Sequence, residues 1–137
     1  MQAHQIKAEY NKELSFIASI DEYKIAMDTT DEQTIHAGPS PKKLMLASLA
    51  GCTGIDIVSI LNKMKVAFSE FSIDIKANLT EEHPKIYNQV EIIYTIKINK
   101  EDEPKMQRAV DLSKDKYCGV SAMFSSFATI KWVINYL

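Results

Sequence analysis

Ser40-Pro41-Lys42-Lys43-Leu44-Met45-Leu46-Ala47-Ser48-Leu49-Ala50-Gly51-Cys52-Thr53-Gly54-Ile55-Asp56-Ile57-Val58-Ser59-Ile60-Leu61 is the stretch whose reading decides the architecture. Ser40 before Pro41 marks a helix start: a hydroxyl can accept from a first-turn N–H, and proline needs no donor at the first helical position. Apolar residues then occupy nearly every face from Leu44 to Leu61, which predicts a helix running to about Lys65 and buried on all sides. Asp56, three hydroxyl residues and two glycines make the run too polar for lipid to tolerate cheaply, so it reads as the central helix of a protein core. Gly51 and Gly54 fit close packing of that helix against neighbours.

Upstream, the chain alternates at period two: Ile6, Ala8, Tyr10, then Leu14, Phe16, Ala18, Ile20, then Tyr23, Ile25, Met27. This pattern predicts three short antiparallel strands, turning at Asn11-Lys12 and Asp21-Glu22, with a polar loop from Asp28 to Ser40. Downstream, Phe71 to Ala77 and Val90 to Ile98 read as two half-buried strands joined by the turn Thr80-Glu81-Glu82-His83-Pro84-Lys85. Glu103-Pro104 opens a second helix that closes near Tyr117. Val120, Met123, Phe124 and Phe127 repeat at helical spacing, with Cys118 or Ser121 at the helix start, and Ala128 to Tyr136 alternate as a final strand. The fold class is therefore α+β, with largely antiparallel sheets around a long buried helix. A domain of this size cannot enclose so long an apolar helix alone, so a homodimer is expected to cover it.

The 137 residues fit a single domain spanning 1–137, and 46% hydrophobic with 25% charged residues suits a globular chain with a sizeable core. A net charge of −2 without clustered lysines argues against a nucleic-acid partner. The N-terminus has no apolar segment of the secretory kind, and no membrane association is expected, so a reducing cytoplasm is the expected compartment. There a permanent disulfide is disfavoured, and cysteines act as small buried hydrophobes or as transient redox groups.

The chain has two cysteines, Cys52 and Cys118, 66 residues apart. That separation excludes a local Cys-x-x-Cys turn, and the pair supplies too few ligands for a structural zinc site. Asp56 and Ser59 follow Cys52 at i+4 and i+7, on its side of the helix. A carboxylate inside an apolar run needs a structural partner or a part in the site. His4, His36 and His83 lack metal-ligand spacing, so neither a metal nor another cofactor is expected.

Gly38-Pro39-Ser40-Pro41-Lys42-Lys43-Leu44, continuing through Leu49-Ala50-Gly51-Cys52-Thr53-Gly54-Ile55-Asp56, resembles the OsmC/Ohr family of thiol peroxidase-like proteins. Tyr117-Cys118-Gly119-Val120-Ser121-Ala122-Met123 looks like that family's second cysteine motif. The turn around His83-Pro84 is similar to one in an OsmC-like subgroup. The resemblance implies an OsmC-like fold, an intertwined homodimer, and reduction of small organic hydroperoxides recycled by an external thiol or dithiol. It implies that Cys52 is the peroxidatic residue, oxidised to a sulfenic acid, and that Cys118 resolves it as a disulfide.

The family's activating arginine and glutamate have no counterpart: the chain's arginine is Arg108, in the second helix, and Lys42 and Lys43 occupy the helix start. Burial raises a thiol's pKa, so a reactive Cys52 needs a cation, and Lys42, Lys43 or His36 are the candidates, with Asp56 and His83 as further supporting residues. The alternative is a non-peroxidase dimer that binds a small apolar ligand or handles another sulfur species. A hot-dog thioesterase using Asp56 fits the strand order and cysteine motifs less well.

Overall fold

The computed structural model describes residues 2–30 and 35–137. The elements run β1 (Lys7–Tyr10), β2 (Phe16–Ile20), β3 (Tyr23–Met27), α1 (Pro41–Lys63), β4 (Phe68–Leu79), β5 (Tyr87–Ile98), α2 (Glu103–Leu112), α3 (Gly119–Ser125) and β6 (Thr129–Tyr136). A 3-10 turn (Lys100–Asp102) leads into α2, and a π-helical turn (Ser113–Tyr117) comes after it. The chain forms two compact units, Met1–Leu46 and Ala47–Leu137.

The first unit holds the antiparallel meander β1-β2-β3. Its reversals are where the sequence places them. Glu13 and Asp21 adopt the left-handed conformation there, at φ 50° and 54°. The first reversal is tied by Ser15, whose hydroxyl donates to the Lys12 carbonyl at 2.8 Å and accepts from the Asn11 amide at 3.1 Å. Ala18 is buried, whereas Tyr10, Leu14, Phe16 and Tyr23 from the alternating pattern stay exposed. Of the expected loop from Asp28 to Ser40, residues 31–34 lie outside the described residues. The remainder folds back on β3, with the Asp28 N–H donating to the Pro39 carbonyl at 3.1 Å. Gly38 passes so close to β3 that a Cβ on it would collide with the Ala26 carbonyl.

Helix α1 starts as its sequence dictates, the Ser40 hydroxyl accepting from the Lys43 N–H at 3.2 Å. It ends two residues short of expectation. Val66 N–H bonds the Leu61 carbonyl and Lys65 N–H the Asn62 carbonyl, while Lys65 takes φ 58°: a Schellman stop with a lysine where glycine is usual. Val66 and Leu61, the residues that touch across such a stop, are both buried.

Burial on all sides of α1 is not what the single chain shows. Leu49, Thr53, Ile57 and Leu61 form one buried stripe at i, i+4 spacing, while Met45 is 46% and Ile55 73% exposed. One sheet can cover only one side of a helix, and the other side, with Gly51, Ile55 and Val58, borders an open apolar groove beside Phe71 and Ile73. By length and composition α1 could cross a bilayer, its best 18-residue window having a mean hydropathy of 1.9. Its middle is instead bonded to the sheet, Thr53 to Tyr94 at 2.7 Å.

The second sheet runs β4-β5-β6. β4 and β5 pair antiparallel over more residues than the alternation alone indicates, with an irregularity at Ser69–Ser72 where Glu70 takes φ 49°. β6 pairs with β5 in parallel, Ile92 opposite Trp132 and Tyr94 opposite Ile134. The reason is the helical connection between them, which carries the chain back before it re-enters the sheet. Val90, Ile92, Tyr94 and Ile96 alternate along β5 and are fully buried or nearly so, so one face of the central strand is the core of this unit. Met106, Ala109 and Val110 bury the inner face of α2.

Candidate functional site

Cys52 lies midway along α1, and Asp56 is one turn further on. Cys118 caps the short helix α3, 4% exposed, its sulfur accepting from the Ser121 N–H at 3.3 Å. The π-helical turn delivers it there: the Cys118 N–H reaches back five residues to the Ser113 carbonyl at 2.8 Å. Such wide turns recur at functional sites because they re-aim the next segment of the chain. As a result the Cys52 and Cys118 sulfurs and an Asp56 carboxylate oxygen all lie within 4.8 Å of one another.

Behind these three groups runs a buried row of hydroxyls. Ser113 donates to the Asp56 carboxylate at 3.0 Å, Thr53 lies 2.9 Å from Ser113, and the Tyr94 hydroxyl lies 2.7 Å from Thr53. A carboxylate has no proton to give, so Ser113 commits its only proton there. It must then accept from Thr53, which must accept from Tyr94. The row therefore has one direction, from Tyr94 to Asp56, and every member is satisfied.

Electrostatics at Cys52 work against ionisation. Burial pushes the thiol above its ordinary value; the Val120 N–H, donating to the sulfur, pulls down, while the Cys118 thiol and the Asp56 charge push further up. Burial also pushes the Tyr94 phenol to about 12, outweighing its bond with Thr53. Beside the site, Asp56, Ser59, Ile60, Lys63, Met64 and Tyr117 line a cavity of about 300 Å³.

Of the residues singled out in sequence, Cys52, Cys118 and Asp56 come together. Ser59 lines the neighbouring cavity. Lys42 and Lys43 are exposed in the first turn of α1, and His83 is exposed in the β4–β5 turn. His36 faces the Asp28 carboxylate, which is held below its ordinary range chiefly by the N–H groups of Ala37 and Thr29. Gly54 approaches the sheet closely, a Cβ there falling 3.0 Å from the end of Ile73, whereas Gly51 faces open space. Thr53, Ser113 and Tyr94 are the members that sequence reading missed. A hydroxyl inside the apolar stripe of α1 was the available signal for Thr53.

Among models of known protein families, that of "OsmC-like protein" matches residues 22–133. The chain belongs to the OsmC-like family. Protein YhfA of Escherichia coli K12 is 28% identical over 127 residues, covering 92% of each chain. A hypothetical protein from Aquifex aeolicus is 28% identical, with a TM-score of 0.82 over 100% of this chain and 99% of its own. An OsmC-like protein from Mycoplasma pneumoniae, 16% identical, shares the fold at a TM-score of 0.85 over 99% and 98% of the two chains. The α+β architecture, two three-stranded sheets and three helices among the described residues, is thus that of the OsmC-like fold.

Proposed function

We propose that this OsmC-like chain is a cytoplasmic, homodimeric thiol peroxidase that reduces small organic hydroperoxides at Cys52. The observation that carries the reading is the meeting of two sulfurs 66 residues apart in sequence, each on a different helix, beside a donor N–H. The Cys52 thiolate attacks one peroxide oxygen, the O–O bond breaks, and an alkoxide leaves and takes up a proton. The sulfenic acid so formed is attacked by Cys118; an S–S bond forms and the oxygen departs as water. An external thiol or dithiol returns two electrons and two protons. The Val120 N–H supports the thiolate, and the enclosed Cys118 is placed to capture the sulfenic acid before a second peroxide arrives.

Stopped-flow consumption of a small alkyl hydroperoxide, with Cys52→Ser as control, tests the reading. Consumption that depends on Cys52 and ends in a Cys52–Cys118 disulfide supports it; equal slow rates for both proteins overturn it. Because burial raises the thiol above its ordinary value, the thiolate fraction is still rising at pH 8, and the rate should climb about tenfold per pH unit from pH 7 to pH 8 without levelling.

The cavity beside Asp56 favours a second reading, a non-peroxidase dimer that binds a small apolar ligand or handles another sulfur species. Ile60, Met64 and Leu112 supply its apolar wall. Native mass spectrometry of the protein purified from cells tests it, a bound small molecule supporting it and a fast Cys52-dependent peroxide cycle excluding it.

A further inference from the structure

We propose that Cys52, Asp56 and Cys118 together bind one thiophilic divalent cation of the Zn²⁺ class, with three protein ligands and an open fourth position. The three ligand atoms lie within 4.8 Å of one another. Two sulfurs on a tetrahedral Zn²⁺ with bonds of about 2.3 Å stand about 3.8 Å apart, so side-chain shifts of about an ångström close the site. Two thiolates and a carboxylate are a donor set that suits Zn²⁺ over the oxygen-seeking Mg²⁺ or Ca²⁺. Four protein ligands make a closed structural site; three leave room for water or an exchanging ligand.

The hydroxyl row is the independent observation. Ligating carboxylates are characteristically held in place by hydrogen bonds from behind, and Asp56 is gripped by Ser113, itself aligned by Thr53 and Tyr94. That is three buried hydroxyls committed to aiming one carboxylate at two sulfurs. The ion pairs among the described residues, Lys7–Glu9, Lys105–Asp102 and Lys131–Glu91, do not include Asp56. On binding, the two thiols release their protons to solvent and the ion loses water; no electrons move. The proposal does not rest on the peroxidase reading, and peroxide has no part in its test.

Reduced, metal-free protein is titrated anaerobically with Co²⁺ and then Zn²⁺. One equivalent of Co²⁺ should produce a sulfur-to-metal charge-transfer band that one equivalent of Zn²⁺ abolishes. Zn²⁺ should slow iodoacetamide alkylation of Cys52 and Cys118, mapped by mass spectrometry in the unmutated chain, by more than tenfold. Asp56→Asn, with unchanged far-ultraviolet circular dichroism, should weaken Zn²⁺ binding at least tenfold. Absence of the band at stoichiometric Co²⁺, alkylation indifferent to Zn²⁺, or equal Zn²⁺ affinity in Cys52→Ser and the parent, which would place the ion elsewhere, each overturns the proposal.

Discussion

Thr53 has one proton and sits between two other hydroxyls, and that position sets what its loss would do. Thr53→Val keeps the shape but leaves the buried Tyr94 hydroxyl without an acceptor and Ser113 without a donor. The change should cost about 1–3 kcal/mol, read as a lower urea midpoint at unchanged slope. A midpoint equal to that of the parent would mean the row contributes nothing. Asp56→Asn has a different signature: by removing one of the charges that oppose ionisation of Cys52, it should speed alkylation at pH 7, the two proteins converging at high pH. Cys52 and Cys118 could be picked out in sequence because they are the chain's two thiols and lie in the two motifs that carry the family resemblance, and Asp56 because a carboxylate in an apolar run is unusual by itself. Ser113 and Tyr94 could not, since a serine in the last turns of an amphipathic helix and a tyrosine in an alternating strand look ordinary. They become partners only when the π-helical turn and the central strand β5 bring them to the same face of α1.

At the scale of elements, termini were more legible than burial. Ser40-Pro41 fixed the start of α1 by local chemistry, and the structure agrees to the residue. Its end depends on Lys65 taking a left-handed conformation that a Cβ disfavours, which no sequence pattern announces. Lys65→Gly should therefore stabilise the protein by about 0.5–1 kcal/mol, seen as a raised melting temperature. Gly38→Ala should do the reverse, by roughly 1–3 kcal/mol, because the obstacle is the backbone of β3 and not a side chain that can swing aside. Gly54→Ala is the contrasting case. Its obstacle is the tip of Ile73, and the gain of about 1 kcal/mol in helix propensity offsets the adjustment, so stability should change little. The alternation that marked β4 and β5 showed which residues share a face but not the direction of β6, which the intervening helices decide.

For the molecule as a whole, the half-covered helix is the feature that asks for a second chain. Ile55 projects from the uncovered side of α1, so Ile55→Glu should leave each subunit folded, with a stability change of about 0.5 kcal/mol or less, while sedimentation shows monomers where the parent shows dimers. A parent that sediments as a monomer at micromolar concentration would rule out the homodimer. The π-helical turn has a consequence of another kind. Its extra residue sets the angle at which α3 leaves α2, so deleting any single position from 113 to 117 would swing Cys118 about a quarter-turn round the axis, away from Cys52. Relatives that keep both thiols should accordingly differ in length at the reversals near residues 11–15 and 80–86, and keep this five-residue spacer at constant length: a reading frame for the site, checkable by aligning chains and counting.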